Sequence, residues 1–172
     1  MPKIELNKSM TQMIFIMNEK QKNEKKEQFA TGYGKIKKGN LVLDTFEEWP
    51  DELFDLRTET SITIKDGAWD WVITNMENKE ADFIITLHTH PEWYGTNQPL
   101  DNDDYTTFKD WDEYFKNNYL RDNIININGI YSNNGGLKFY LYDEKSKDFM
   151  NVDFDVNENN YTSNNQVGRK KR

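Results

Sequence analysis

The chain has 172 residues, a net charge of −8 and an aromatic content of 14%, which is enough ring surface to expect a folded protein. It contains no cysteine, and this excludes a disulfide framework, a thiolate metal site and a cysteine nucleophile. The acidic balance argues against a nucleic-acid partner, and no apolar run approaches the ~20 residues that cross a bilayer. The start lacks a signal-peptide pattern, so we expect a cytoplasmic protein without membrane attachment.

The N-terminal part of the chain predicts one helix followed by two paired strands. Apolar residues recur at helical spacing near the start; they are Leu6, Met10, Met13, Ile14 and Met17. Strands are predicted at 28–36 and 40–49, where apolar and β-branched residues are frequent. The turn between these strands contains Gly39 and Asn40, which both tolerate a positive φ.

The middle of the chain predicts a short strand, a second helix and a buried strand. The acidic stretch 47–56 is interpreted as a loop, and residues 59–64 as a strand. Residues 66–79 carry apolar side chains on one helical face, with Asp66 as the N-cap. The run 82–90 is almost continuously apolar and β-branched, which is typical of a central strand.

The C-terminal part of the chain predicts a third helix and a hairpin. Aromatic residues recur at helical spacing in 101–120, and strands at 123–131 and 137–143 are joined by the turn SNNGG. The order α-β-β-β-α-β-α-β-β indicates one domain over residues 1–155, of the α/β (α+β) class, with helices flanking a mixed, mostly antiparallel sheet. The polar stretch 156–172, which ends in GRKKR, is expected to be a disordered tail.

The only two histidines of the chain, His88 and His90, lie at the end of the predicted central strand. Residues i and i+2 of a strand point to the same face, so both imidazoles aim at one place while Thr89 points away. Such a pair can hold a divalent metal ion through two ring nitrogens. The alternative is that both histidines make ordinary hydrogen bonds at the edge of the core.

Three aspartates, Asp101, Asp103 and Asp104, open the helix that follows the histidines. One of them is explained as a helix cap, but all three are better explained if one is a metal ligand. Amidohydrolase, PHP-type phosphoesterase and cupin sites need further histidines, which this chain lacks. The composition therefore favours a site built from two histidines and carboxylates.

The segment HTHP at 88–91, with a glutamate before it and aspartates after it, resembles the fingerprint of the JAMM (MPN+) zinc metallopeptidases. That fingerprint has a glutamate entering the first strand after helix one, then H-[ST]-H-P, then S-x-x-D at the start of a helix. Glu27 opens EQFATGYG, which also supplies Ala30 and Gly34 where the family pattern has small residues. PLDNDD at 99–104 stands in the place of the serine–aspartate stretch.

The resemblance implies a JAMM/cytidine-deaminase-like fold and one Zn²⁺ ion held by His88, His90 and Asp104, with water as the fourth ligand. Asp103 is the alternative to Asp104. Zinc lowers the pKa of such a water towards ~7, and the resemblance implies that Glu27 takes its proton and passes it to the leaving amine. The implied activity is hydrolysis of a peptide or isopeptide bond, with a peptide or ubiquitin-like conjugate as substrate.

Two features depart from the family pattern. The serine that hydrogen-bonds the developing oxyanion is missing, and Asp101, or Leu100 in a shifted register, stands in its place. The loop after the histidines is longer, and its Trp93, Tyr94 and Thr96 are candidate substrate contacts, with Tyr94 or Thr96 as a replacement hydroxyl donor. The missing serine leaves two other hypotheses: a catalytically inactive binding module of the same fold, and a metal-dependent hydrolase of a small molecule.

Overall fold

A computed structural model describes residues 2–94, 100–118 and 124–157. Within these ranges the α-helices are α1 (Lys8–Glu24), α2 (Ala68–Asn78) and α3 (Asn102–Asn118). The strands are β1 (Ile4–Asn7), β2 (Phe29–Lys37), β3 (Asn40–Glu48), β4 (Phe54–Arg57), β5 (Ile62–Ile64), β6 (Phe83–Thr89), β7 (Ile125–Ser132), β8 (Gly136–Asp143), β9 (Asp148–Asn151) and β10 (Phe154–Asn157).

Eight of these strands form one sheet in the order β10-β1-β3-β2-β6-β7-β8-β9, while β4 and β5 form a separate ribbon. The pairs β1–β10, β1–β3 and β6–β7 are parallel, and the other four pairs are antiparallel. The expected α+β class with a mixed, mostly antiparallel sheet is therefore confirmed. The strand β6 has four strands on one side and three on the other, so its central position is confirmed as well.

One face of the sheet is covered by α1. This helix begins where the Asn7 side chain accepts a hydrogen bond from the Met10 N–H at 2.9 Å, and it ends at Lys25, whose φ is 53°. Its buried apolar residues pack on apolar side chains from the central strands. The core on this face includes Met10, Ile14, Met17, Leu41, Leu43, Phe83, Ile85, Leu87, Ile127 and Phe139.

The opposite face is covered by α2 and α3 and is richer in aromatic side chains. Phe29 of β2 packs edge-to-face on Trp49 with ring centroids 4.7 Å apart, and Trp69 of α2 packs similarly on Phe115 of α3 at 5.1 Å. Such rings fill the space between the two helices and the sheet. The far end of this face, next to the end of β6, is where the candidate site lies.

The N-terminal expectation needs a correction. Leu6 belongs to β1 rather than to the first helix, because Ile4–Asn7 pair in parallel with β10 and partly with β3. The partners lie far along the chain, so local periodicity does not reveal this strand. Residues 54–56, expected in the acidic loop, belong to β4, which pairs with the neighbouring strand β5.

Two turn positions differ from expectation by one residue. The β2–β3 turn has positive φ at Lys38 and Gly39, while Asn40 is already the first residue of β3. Two-residue hairpin turns of this kind need positive φ at both central positions. At the start of α2 the N-cap is Gly67, with a φ of 87°, rather than Asp66.

The predicted tail also begins too early. Val156 and Asn157 belong to β10, where they pair with Leu6 and Asn7 of β1. Residues 158–172 lie outside the described residues. Among the described helices, none is long and apolar enough to cross a membrane.

Candidate metal centre

The end of β6 carries the two histidines and is fixed from both sides. The His90 N–H extends the ladder to β7 with a hydrogen bond of 2.8 Å. Thr89 points to the opposite face, as predicted, where its hydroxyl donates to Gln21 of α1 at 2.7 Å and accepts from the Gln28 N–H at 2.9 Å. These bonds hold the strand end so that His88 and His90 face the same side, and both are buried.

The start of α3 brings a carboxylate to these histidines. Asp101 caps the helix, because its Oδ1 accepts a hydrogen bond from the Asp104 N–H at 2.7 Å. Asp104 faces β6, with its Oδ1 3.4 Å from His88 Nε2 and its Oδ2 3.3 Å from His90 Nε2. The two imidazole Nε2 atoms are 3.0 Å apart.

The separations of these donor atoms suit a single metal ion. Among the described residues, His88, His90 and Asp104 offer ligand atoms that all lie within 4.8 Å of one another. In a tetrahedral site with bonds of 2.0–2.1 Å, neighbouring donor atoms are roughly 3.3–3.4 Å apart. The observed contacts of 3.0 to 3.4 Å are close to that spacing, and two imidazoles with one carboxylate are a donor set of catalytic zinc sites. The residues present therefore fit such an ion.

Glu27 reaches the same site through the pairing of β2 with β6. Phe29 lies directly opposite His88, so the antiparallel register brings position 27 towards His90 and onto the same face. The Glu27 side chain lines a cavity shared with both histidines, and the residue is only 6% exposed. Its N–H donates to the Thr58 carbonyl at 2.8 Å, which ties it to the β4–β5 ribbon.

The two carboxyl groups of the site have opposite pKa shifts. Burial, followed by the charges of Asp104 and Asp101, raises the pKa of Glu27 from 4.5 to about 9. Burial also acts to raise the pKa of Asp104, but His88 and His90 outweigh it and hold that pKa well below its usual range. A pair of carboxyls separated in this way is typical of sites in which one group binds charge and the other transfers protons.

The histidines, Asp104 and Glu27 line one cavity of about 370 Å³. One wall is the β4–β5 ribbon, which contributes Thr60, Ser61 and Ile62, and the other is α3, which contributes Thr107, Phe108 and Trp111. Among the described lining residues none is a lysine or an arginine, so the cavity is acidic. The wall residues lie within the strand predicted at 59–64, but its partner β4 is not predicted, although Phe54 and Leu56 alternate with polar residues as strand residues do.

The turn after β6 folds back over the histidines. The Tyr94 N–H donates to the Pro91 carbonyl at 2.9 Å, and the Tyr94 ring lies against the His90 ring with centroids 4.4 Å apart. The Tyr94 hydroxyl donates to Asp101 Oδ2; burial and this contact with Asp101 raise the pKa of Tyr94. Trp93 is 64% exposed and contacts the Tyr94 ring, but it is not among the described residues that line the cavity.

Of the two candidate carboxylates, Asp104 rather than Asp103 faces the histidines. Asp103 is exposed, and it lines the cavity without joining the three-residue group. Asp101 is the N-cap of α3, as expected. Thr96 lies outside the described residues.

No protein-family model and no curated protein sequence matches the chain. Among solved structures, it is similar to the solution structure of protein DSY2949 from Desulfitobacterium hafniense. The two have a TM-score of 0.58 at 12% sequence identity, over 92% of this chain and 95% of that chain. At this identity the likeness shows a shared fold that spans almost the whole of both chains.

Proposed function

We propose that the chain is a zinc-dependent metallopeptidase that hydrolyses a peptide or isopeptide bond, in the manner of the JAMM (MPN+) enzymes that its motifs resemble. The observation that supports this most is the convergence of His88, His90 and Asp104 at metal-ligand spacing, with Glu27 lining the same cavity. These residues come from three segments of the chain: the residues before β2, the end of β6 and the first turn of α3. Their meeting at one buried point is difficult to explain by capping or core packing alone.

His88, His90 and Asp104 would hold the ion, since their donor atoms lie within 4.8 Å of one another. Zinc at that position would lower the pKa of a bound water towards ~7, polarise the substrate carbonyl and favour the ionised form of the Glu27 carboxyl. The histidines are fixed by the β6 ladder and the Asp104 backbone by the Asp101 cap. Little rearrangement is therefore needed to bind the ion.

Glu27 is placed to move the protons of the reaction. It takes a proton from water while the water oxygen bonds to the carbonyl carbon and the carbonyl π electron pair moves onto the carbonyl oxygen. It then gives that proton to the nitrogen as the C–N bond breaks, which releases a carboxylic acid and an amine. A carboxyl with a raised pKa suits both transfers, because an acid–base group works best when its pKa is close to the working pH.

The proposal is tested by the zinc content and the hydrolytic activity of Glu27→Gln beside the wild type. The wild type is expected to bind one zinc ion per chain and to lose hydrolysis of peptide or ubiquitin-like isopeptide substrates on chelation. Glu27→Gln should keep its zinc and lose roughly 10²–10⁴-fold in kcat. Glu24→Gln is the matched control, because Glu24 is exposed at the end of α1, three residues earlier.

The same experiment separates the alternatives. A wild-type chain that binds no zinc rejects the proposal. Bound zinc without turnover of any peptide or conjugate would instead indicate an inactive binding module, which the missing serine at position 101 favours. Turnover confined to small esters or amides would indicate a small-molecule hydrolase.

A further inference from the structure

We propose that the Tyr94 hydroxyl is the group that hydrogen-bonds the developing oxyanion of the substrate, in place of a serine at the start of α3. This inference rests on the proposed hydrolytic function and adds a catalytic residue to it. It is carried by the position of the Tyr94 ring against His90 and by the contact of its hydroxyl with Asp101.

The backbone directs Tyr94 towards the site. The turn closed by the Tyr94 N–H and the Pro91 carbonyl returns the chain over the end of β6. The Tyr94 ring then packs edge-on against His90, with centroids 4.4 Å apart and planes at 70°. The side chain lines the cavity together with Glu27, so it borders the space that the scissile carbonyl must enter.

The hydroxyl of Tyr94 lies beside Asp101, the residue that stands in the place of the family's serine. It donates to Asp101 Oδ2, while the other oxygen of that carboxylate caps α3 through the Asp104 N–H. Asp101 is only an acceptor when ionised, so it cannot itself donate to an oxyanion. The phenol is neutral at pH 7 and has one O–H to give, which makes it the donor of this pair.

In the absence of substrate, the Asp101 carboxylate accepts the hydrogen bond that the Tyr94 hydroxyl donates. Because a phenol has a single O–H, Tyr94 must turn from Asp101 to the substrate oxygen in order to stabilise the transition state. Asp101 is only partly buried, so water can satisfy the oxygen that Tyr94 leaves. Removal of the Asp101 side chain should therefore free the hydroxyl rather than disable it.

Other hydroxyls of the cavity are less suitably placed. Thr60 and Ser61 lie on the opposite wall, on the β4–β5 ribbon, and both are exposed. Thr107 lies one turn into α3 beyond Asp104. Of the described hydroxyl-bearing residues that line the cavity, Tyr94 is the one with a ring packed on a metal-site histidine.

The test compares the binding of two probes to the metal-loaded protein, so that it does not depend on turnover. A phosphinic dipeptide presents a tetrahedral PO₂⁻ group in place of the scissile carbonyl and can accept a hydrogen bond from Tyr94. Ethanethiol binds the metal through sulfur and offers no oxygen. Affinity for the phosphinic dipeptide is measured by calorimetry in Zn²⁺-loaded protein, and thiol binding by absorption in Co²⁺-loaded protein.

Tyr94→Phe is expected to weaken binding of the phosphinic dipeptide by about 10²-fold, the usual effect of one lost oxyanion donor. Its metal content and its affinity for ethanethiol should equal those of the wild type. Tyr105→Phe is the matched control, because that phenol lies on the first turn of α3, is not among the described residues that line the cavity, and donates to the Lys147 carbonyl at 3.2 Å. Tyr105→Phe should bind both probes as the wild type does.

Asp101→Gly distinguishes a Tyr94 hydroxyl that hydrogen-bonds the oxyanion from one that only holds the loop through Asp101. The start of α3 should remain intact in this variant, because glycine is tolerated as an N-cap. If Tyr94 acts directly, this variant loses less affinity for the phosphinic dipeptide than Tyr94→Phe does. An equal loss in Asp101→Gly and Tyr94→Phe would show that Tyr94 only holds the loop, and would overturn the inference. Unchanged dipeptide binding in Tyr94→Phe would also overturn it, while a wild-type chain that binds no metal would reject the proposed function itself.

Discussion

The two faces of the sheet differ in what their side chains do, although the same strands build both. On the α1 face, β6 contributes Ile85 and Leu87 to an almost wholly apolar core. On the opposite face the same strand contributes His88 to the candidate site and Thr86, which donates to Asn128 at 2.7 Å in the interior. Alternation along one strand therefore separates its side chains: Ile85 and Leu87 pack in the apolar core on one face, and His88 lines the candidate site on the other. A substitution should affect stability or chemistry according to the face on which it lies.

The largest effect is expected from a change at the metal ligand on α3. Asp104→Asn removes one of three proposed ligands and should lower kcat/KM on the order of 10³-fold, with a parallel loss of zinc. Zinc content and kinetics on the same preparations measure both. Asp103→Asn is the control in the same helical turn, because Asp103 does not belong to the three-residue group. Zinc loss in Asp103→Asn instead would reassign the ligand.

The second-largest expected effect is a pH-dependent increase in the free energy of unfolding of Glu27→Gln, measured without added metal. The Glu27 pKa is about 9 in the folded chain and 4.5 when unfolded, so only the unfolded chain ionises this carboxyl in the window between them. The free energy of unfolding of the wild type therefore falls as pH rises from about 4.5 to about 9. Glutamine does not titrate, so the variant should be more stable by up to about 3 kcal/mol at pH 7.

Urea unfolding at a series of pH values measures this difference. The two proteins should be equally stable near pH 4, where the Glu27 carboxyl is protonated in both states. Parallel stability curves for wild type and variant across the whole pH range would contradict the raised pKa of Glu27.

A smaller loss of stability is expected on the α1 face, without any effect on the site. An added Cβ at Gly34 would lie 2.1 Å from the Val42 carbonyl oxygen and 2.6 Å from the Phe83 ring. Gly34→Ala should therefore lower the free energy of unfolding by about 1–3 kcal/mol through overpacking. Zinc content should be unchanged. Gly39→Asn is the control, since nothing lies near Gly39 and asparagine tolerates its positive φ.

The smallest effect is expected at Trp93, beyond the rim of the cavity. Trp93 is 64% exposed, so Trp93→Ala should change the free energy of unfolding by less than about 0.5 kcal/mol. If Trp93 contacts substrate, KM should rise while kcat stays constant. Thermal melting and steady-state kinetics check the two statements. A large drop in stability would show that the side chain packs more tightly than its exposure indicates.

The parts of the fold that were predicted from sequence are those with strong local signals. The continuous apolar run of β6, the aromatic period of α3 and the turn between β7 and β8 are each visible in a short window. The short strands β4 and β9 are also missed, although their partners β5 and β8 are their neighbours in the chain. The missed strands β1 and β10 depend on partners far away in the chain. Local residue patterns do not contain that information.

The candidate site was predictable to a similar extent. The spacing of His88 and His90 on a strand determines that both face one side. The choice between Asp103 and Asp104 depends on where α3 begins, because neighbouring helical residues point ~100° apart. The structure settles which aspartate faces the histidines by making Asp101 the N-cap of α3.

The parallel pairing of β1 with β10 has a consequence for the order of assembly. Ile4 lies opposite Phe154, so the first strand completes its hydrogen bonds only when a segment near the other end of the described chain arrives. Closing so long a loop is entropically costly and slow compared with forming the β2–β3 hairpin. The β1–β10 edge should therefore be the last part to fold and the first to exchange its amide hydrogens, while the strands that present the histidines are already locked.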